Sequence, residues 1–148
     1  ELHFFGERIA RGEILIPTND LEKCFIFFWN TIPKKYVVCS VEQSMYHKKN
    51  LYGGTSDLIL YDTEDDSFVI VDYKTNKDIF KNYKGQKLKG IFIDMLDTPL
   101  NKYKIQLSYY QILFEQIPNF KVSKRIVVWF KEKEYEMFYL EDCTKKLL

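Results

Sequence analysis

The chain has 148 residues, 46% hydrophobic and 17% aromatic, which suits one domain with its own core and excludes a disordered chain. Twenty-two basic residues against 21 acidic ones leave a net charge of +1, which excludes a protein that coats nucleic acid through bulk charge. The longest apolar runs, such as Cys24 to Trp29, fall far short of a membrane span, and the opening Glu1-Leu2-His3 shows no signal-peptide pattern.

The first 17 residues carry no firm pattern. A helix bearing His3 and Glu7 is open there, and Pro17 ends whatever precedes it. Thr18-Asn19-Asp20 reads as a helix start, and Leu21, Cys24, Phe25, Phe28 and Ile32 follow at helical spacing until Pro33 stops the run. Tyr36 to Glu42, Thr55 to Tyr61 and Phe68 to Lys74 read as strands, with Gly53-Gly54 marking a turn before the second. Residues 75–99 read as a long loop with some helix. Thr98-Pro99 opens a second strong helix with the stripe Leu100, Tyr103, Leu107, Tyr110 and Phe114, ending before Pro118. Arg125 to Phe130 and Tyr135 to Leu140 are two last strands. Helix, three strands, helix, two strands predicts an α/β or α+β domain around a small mixed sheet.

The three cysteines, Cys24, Cys39 and Cys143, are odd in number and lack CxxC spacing, which argues against a disulfide framework, a zinc knuckle or an iron–sulfur cluster. Cys24 and Cys39 lie in apolar stretches and read as buried thiols in a reducing, intracellular compartment. The chain opens without Met, so a domain cut from a longer protein is the expected context. Lysines 74, 77, 81, 84, 87 and 89 form a basic stretch that reads either as a solvated face or as a phosphate-contacting rim. Most aromatics fall on periodic apolar faces and belong to the core, Trp29 and Trp129 among them. Tyr73, Tyr83 and Tyr109 are candidates for stacking on bases.

The central hairpin carries the chemistry. Asp72 and Lys74 interrupt a hydrophobic strand and, two residues apart, share a face. If Asp62 faces Ser67 across the turn Thr63 to Asp66, then Asp57 stands directly opposite Asp72, with β-carbons about 5 Å apart. Two carboxylates so close repel each other. A divalent cation between them removes the conflict, and hard oxygen donors suit Mg²⁺ or Mn²⁺. Lys74 can orient an attacking water or stabilise developing phosphate charge. The competing reading is a salt-bridged trio in which Lys74 neutralises Asp72 and Asp57 caps the Gly53-Gly54 turn. A one-residue slip in register would send Asp57 to the other face.

Gly54-Thr55-Ser56-Asp57 followed by Val71-Asp72-Tyr73-Lys74 resembles the G-x-x-D … (D/E)-x-K signature of PD-(D/E)XK nucleases. Gln106-Leu107-Ser108-Tyr109-Tyr110, on the helix after the hairpin, resembles the Q-x-x-x-Y motif of the RecB-like exonuclease branch. D-x-K alone is short and common; all three motifs in this order are specific, and they span about residues 36–130. The texture of the chain is similar to free-standing phage or viral members.

The resemblance implies a restriction-endonuclease-like αβββαβ core, a central mixed sheet flanked by helices, formed by residues 1–148 as a single nuclease domain. It implies that Asp57 and Asp72 ligate Mg²⁺ or Mn²⁺ with the backbone carbonyl of Tyr73, that Lys74 positions the nucleophilic water, and that Gln106 and Tyr110 hold the DNA strand or order the centre. Glu42 matches an acidic first-strand residue with a water-mediated metal role. His3 is the candidate for the branch's metal-binding histidine on an early helix; otherwise it is an exposed, frayed histidine. His47 reads as a surface residue. The implied activity is a single-strand-preferring deoxyribonuclease acting on single-stranded DNA or duplex ends. An endonuclease, an inactive DNA-binding module and an interaction domain are the alternatives. Other domains of a larger replication or recombination protein are expected partners; a membrane is not.

Overall fold

The computed structural model describes residues 1–49 and 52–148. The two N-terminal helices follow from their caps and apolar spacing. In α1 (Leu2–Ala10), the Glu1 side chain accepts the His3 N–H, and Leu2, Phe5, Gly6 and Ile9 are buried at the spacing of one helix face. The undecided N-terminal stretch is thus a helix bearing His3. In α2 (Asp20–Thr31), the Asn19 side chain accepts the Glu22 N–H at 2.9 Å. Glu22 reaches back to accept from the Thr18 N–H at 2.9 Å and its hydroxyl at 3.0 Å, a reciprocal cap.

Five strands form one mixed sheet in the order β1 (Tyr36–Tyr46), β2 (Gly53–Asp62), β3 (Ser67–Lys74), β4 (Val122–Phe130) and β5 (Tyr135–Tyr139). Only β3 and β4 are parallel. They are joined across α3 (Pro99–Phe114), as a parallel pair requires. Between them the arm 75–98 carries the 3₁₀ turn Gly90–Phe92, and α4 (Thr144–Leu147) closes the chain. The predicted element order holds for the strands and for α2 and α3; α4 was not expected.

The β2–β3 register is the predicted one, running from Asp62↔Ser67 to Leu58↔Val71. Asp62 shapes its turn by accepting the N–H groups of Glu64 (3.0 Å) and Asp65 (3.1 Å), with Asp66 at φ +51°.

Each sheet face has its own core. Leu58, Leu60, Val69, Val71, Tyr73, Val128 and Phe130 pack with Phe5, Phe25 and Phe28 of α1 and α2. Ile59, Phe68, Ile70 and Val127 pack with Leu107, Tyr110, Leu113 and Phe114 of α3. Trp29 stacks on Phe25, and buried Trp129 donates its indole N–H to the Asn76 carbonyl at 2.7 Å, so both are structural. His47 is half-buried rather than on the open surface, stacked on Tyr52.

One burial expectation is corrected. Cys24 is buried, but Cys39 is exposed. It lies on edge strand β1, whose first half is uncovered, with Val37 and Val38 also exposed. No helix among the described residues is long and apolar enough to cross a membrane.

Candidate active site

The β2–β3 ladder ends at Leu58↔Val71, and the next two residues are joined by their side chains. The Asp57 N–H donates to Asp72 Oδ1 at 3.0 Å, and the Tyr73 N–H donates to Asp57 Oδ2 at 2.8 Å. Each carboxylate stands where a backbone carbonyl would otherwise accept. The strands part there, and two acidic side chains are locked between them. Ser56, fully buried, lies in the same parting and donates to the carbonyls of Leu58 (3.2 Å) and Val71 (3.4 Å).

Three other elements converge on this pair. From the strand end, Lys74 Nζ lies 3.7 Å from Asp72 Oδ2. It also donates to Gln106 Oε1 of α3 at 3.2 Å and sits 4.5 Å from the centre of the Tyr103 ring. From α1, His3 Nε2 lies 2.8 Å from the Tyr73 carbonyl oxygen and 3.5 Å from Asp57 Oδ2, while Nδ1 faces Glu1 Oε1 at 3.1 Å. His3 is therefore docked, not frayed. From β1, Glu42 stands opposite Asp57, between the pairs Val41↔Leu58 and Gln43↔Ser56, near enough to feel the Asp57 charge. Glu42 is in the left-handed region at φ +50°, a conformation that costs a non-glycine residue about 1 kcal/mol or more. Val41 packs on the α1–α2 side and Met45 on the α3 side, so strict face alternation is lost around Glu42.

Burial and mutual repulsion set the acidities. Burial pushes the Asp72 carboxyl up to about 7, with the Asp57 charge adding to it and the Asp57 N–H and Lys74 opposing. Burial also raises Asp57, against the Tyr73 N–H, His3 and Lys74. Glu42 is raised by burial and by the charge of Asp57. Burial, then the charges of Asp72 and Asp57, push the Tyr110 hydroxyl up; a hydrogen bond with Gln106 opposes this.

All eight residues singled out in the sequence meet here: His3, Glu42, Asp57, Asp72, Tyr73 through its carbonyl, Lys74, Gln106 and Tyr110. The Tyr73 side chain is corrected. It is 2% exposed among Phe25, Phe28 and Phe130, so it cannot stack on a base, and its hydroxyl has no hydrogen-bond partner among the described residues. Tyr83 is exposed, and Tyr109 meets Tyr52 edge-on. Tyr103, expected in the core stripe of α3, also meets Lys74. Its spacing from Gln106 and Tyr110, three and seven residues, was the signal that it shares their face.

Among the described residues, no group of three or more His, Cys, Asp and Glu side chains is gathered closely enough to hold a metal ion. The hydrogen bonds give the reason: Asp57 and Asp72 each spend an oxygen on a backbone N–H, and His3 Nε2 meets a carbonyl. The donor chemistry nonetheless fits a hard divalent cation. Two carboxylates, one backbone carbonyl and one imidazole converge, and burial, with the Asp57 charge adding to it, raises Asp72 to about 7, a cost that a bound cation would relieve.

The motif glycine Gly54 makes room for α3. A Cβ there would meet Tyr110 Cε1 at 2.5 Å. Gly54→Ala is expected to destabilise the fold by ~1–3 kcal/mol through overpacking. A urea-unfolding midpoint equal to that of the unsubstituted chain would show that the ring yields freely.

No protein-family model matches the chain, and no curated protein matches it.

Proposed function

We propose that this chain is a Mg²⁺- or Mn²⁺-dependent deoxyribonuclease of the PD-(D/E)XK superfamily, nearest in its motifs to the RecB-like exonucleases. The observation that carries the reading is the interlocked pair Asp57 and Asp72 at the parting of β2 and β3, with Lys74 beside it. A salt-bridged trio kept for stability accounts for it poorly. Lys74 is 3.7 Å from Asp72, yet Asp72 remains pushed up to about 7 by burial and by the Asp57 charge, so the lysine does not offset the cost of holding the pair there. The order helix, three strands, helix, strand, with β3 and β4 parallel, agrees with a restriction-endonuclease-like core.

Asp57, Asp72 and the Tyr73 carbonyl would hold the cation, with His3 as a fourth donor once Nε2 gives up its contact with the carbonyl. Glu42 would act through a water. The bound cation supplies Lewis-acid polarisation of the phosphate and lowers the pKa of a water. Lys74, steadied by Gln106 and the Tyr103 ring, orients that water and faces the charge developing on phosphate. Gln106 and Tyr110 order the lysine and the α3 side of the site. The substrate is DNA, with single-strand-preferring exonuclease action as the mode the motifs favour. Work inside a cell, within a larger replication or recombination protein, belongs to the same proposal.

A second reading, a DNA-binding module that does not cut, is favoured by one observation: the carboxylates and His3 already have backbone hydrogen-bond partners. The test is incubation with end-labelled single-stranded and duplex DNA in Mn²⁺ and, separately, in EDTA. Mononucleotides released from ends in Mn²⁺ alone are expected; internal fragments would assign an endonuclease. DNA binding without cleavage in Mn²⁺ would leave the second reading.

A further inference from the structure

We infer that the arm 76–97 is a track for single-stranded nucleic acid leading away from the candidate active site; this deepens the proposed function and rests on it for the direction of the track. Residues 76–89 of the arm contain five lysines and one acid, Asp78; its other two acids, Asp94 and Asp97, pair with Lys146 and Lys102. That stretch carries +4 in a chain of net +1, so the rest of the chain is at −3. Lys77, Lys81, Lys84, Lys87 and Lys89 are all exposed, and none has an ion-pair partner within 4.0 Å among the described residues, whereas Lys74 and Lys102 do. Positive charge left unpaired along one exposed segment suits a chain of phosphates.

The arm is fixed in place. Buried Ile79 accepts the Leu100 N–H at 2.9 Å. Lys87 bridges Leu96, and Asn82 Nδ2 donates to the carbonyls of Gln86 (2.8 Å) and Asp97 (3.0 Å). Its tip is the turn Tyr83 to Gln86, closed by the Gln86 N–H on the Tyr83 carbonyl at 3.1 Å. Both central residues have positive φ, Lys84 at +51° and Gly85 at +70°. Glycine, asparagine or aspartate is the usual first residue of such a turn; here a lysine bears the strain and presents its charge at the tip.

A groove of ≈ 800 Å³, lined by Asn76, Lys77, Lys81, Tyr83 and Lys102 among others, runs from this tip back to Asn76, two residues beyond Lys74 in the chain. Lys74 sits 4.5 Å from the ring centre of Tyr103, the residue that follows the groove's Lys102 on α3. The acids in the groove are engaged: Asp97 pairs with Lys102 at 3.1 Å, and Asp78 accepts the Phe80 N–H at 2.8 Å. Tyr83 is 63% exposed, with Lys84 Nζ 5.3 Å from its ring centre. An open aromatic ring beside unpaired lysines suits unpaired bases, which stack, rather than a duplex, which hides them.

The test is fluorescence anisotropy in EDTA with a labelled 20-nucleotide oligo-dT and a blunt duplex of the same length, across a salt series. The triple variant Lys77→Gln, Lys81→Gln, Lys84→Gln is expected to bind oligo-dT about 100-fold more weakly at 0.1 M salt, with the log–log salt slope reduced by about 2. The matching Lys→Arg triple restores both. Tyr83→Ala is expected to lose about tenfold on oligo-dT and nothing on the duplex. These side chains are exposed, so a melting curve confirms that each variant folds. An unchanged slope in the triple variant, or no binding of oligo-dT by the unsubstituted chain, overturns the track whatever the cleavage assay shows. Equal losses on the duplex overturn the single-stranded occupant. A reduced slope in a chain that never cuts in Mn²⁺ keeps the track and removes the nuclease.

Discussion

Lys74→Ala is expected to lower Mn²⁺-dependent cleavage about 10²–10³-fold, the usual loss when one group aimed at developing charge is removed. The same variant should still be stabilised by Mn²⁺, because the ammonium is not a cation ligand. Asp72→Asn should lose both cleavage and the stabilisation. The amide still offers Oδ1 to the Asp57 N–H, so the parting of the strands is kept and only charge is removed. Single-turnover cleavage beside melting curves with and without Mn²⁺ separates the roles. Cleavage by Lys74→Ala at the rate of the unsubstituted chain would remove the lysine from the chemistry. Mn²⁺ stabilisation that survives Asp72→Asn would move the cation elsewhere.

The second large effect is on stability. In EDTA the fold should become less stable as pH rises from about 4 to about 7. Asp72 titrates near its ordinary value of ~3.9 when unfolded and at about 7 when folded. Between those values the folded state keeps a proton that the unfolded chain has released. Stability is therefore full below the lower value and falls through the window by up to about 1.4 kcal/mol per pH unit, then levels off. Asp57 and Glu42, also raised, act in the same direction. The depressed carboxyls Glu13, Glu22, Asp62, Asp94 and Asp142 lose their contribution only as pH falls below their ordinary values and leave the window above about 4.5 alone. Asp72→Asn should flatten the slope and melt higher than the unsubstituted chain at pH 8. Saturating Mn²⁺ should restore about 2.7 kcal/mol at 100 times its Kd. A melting temperature that climbs from pH 5 to 7.5, in parallel in both proteins, would contradict the burial argument.

Much of this site could be read before any coordinates because its residues are local to a hairpin. A four-residue turn and an alternating strand fixed the register that sets Asp57 against Asp72, and helical spacing linked Gln106 to Tyr110. The docking of His3 is tertiary; only the resemblance pointed to it. The end of β1, Gln43 to Tyr46, was missed because Gln43 and Ser44 are polar and the strand runs along an edge. That same edge left Cys39 open to solvent. Ser108 and Gln111, polar yet buried on α3, blur its apolar stripe. Their partners, the Cys143 N–H at 2.9 Å and the Arg125 guanidinium at 2.6 Å, lie far along the chain. Strand alternation sends Tyr73 to the face opposite Asp72, and that should have argued against base stacking.

Tyr73 ties the two sides of the sheet together. Its ring is wedged among Phe25, Phe28 and Phe130, while its carbonyl meets His3 and its N–H holds Asp57. A ring so tightly enclosed leaves the peptide little room to rotate. Volume changes deep in that aromatic cluster, well away from substrate, would therefore turn the carbonyl and misalign the centre. Tolerance to repacking in the aromatic cluster against α2 is limited by the chemistry at the strand parting, so variants there should lose activity before they lose the fold.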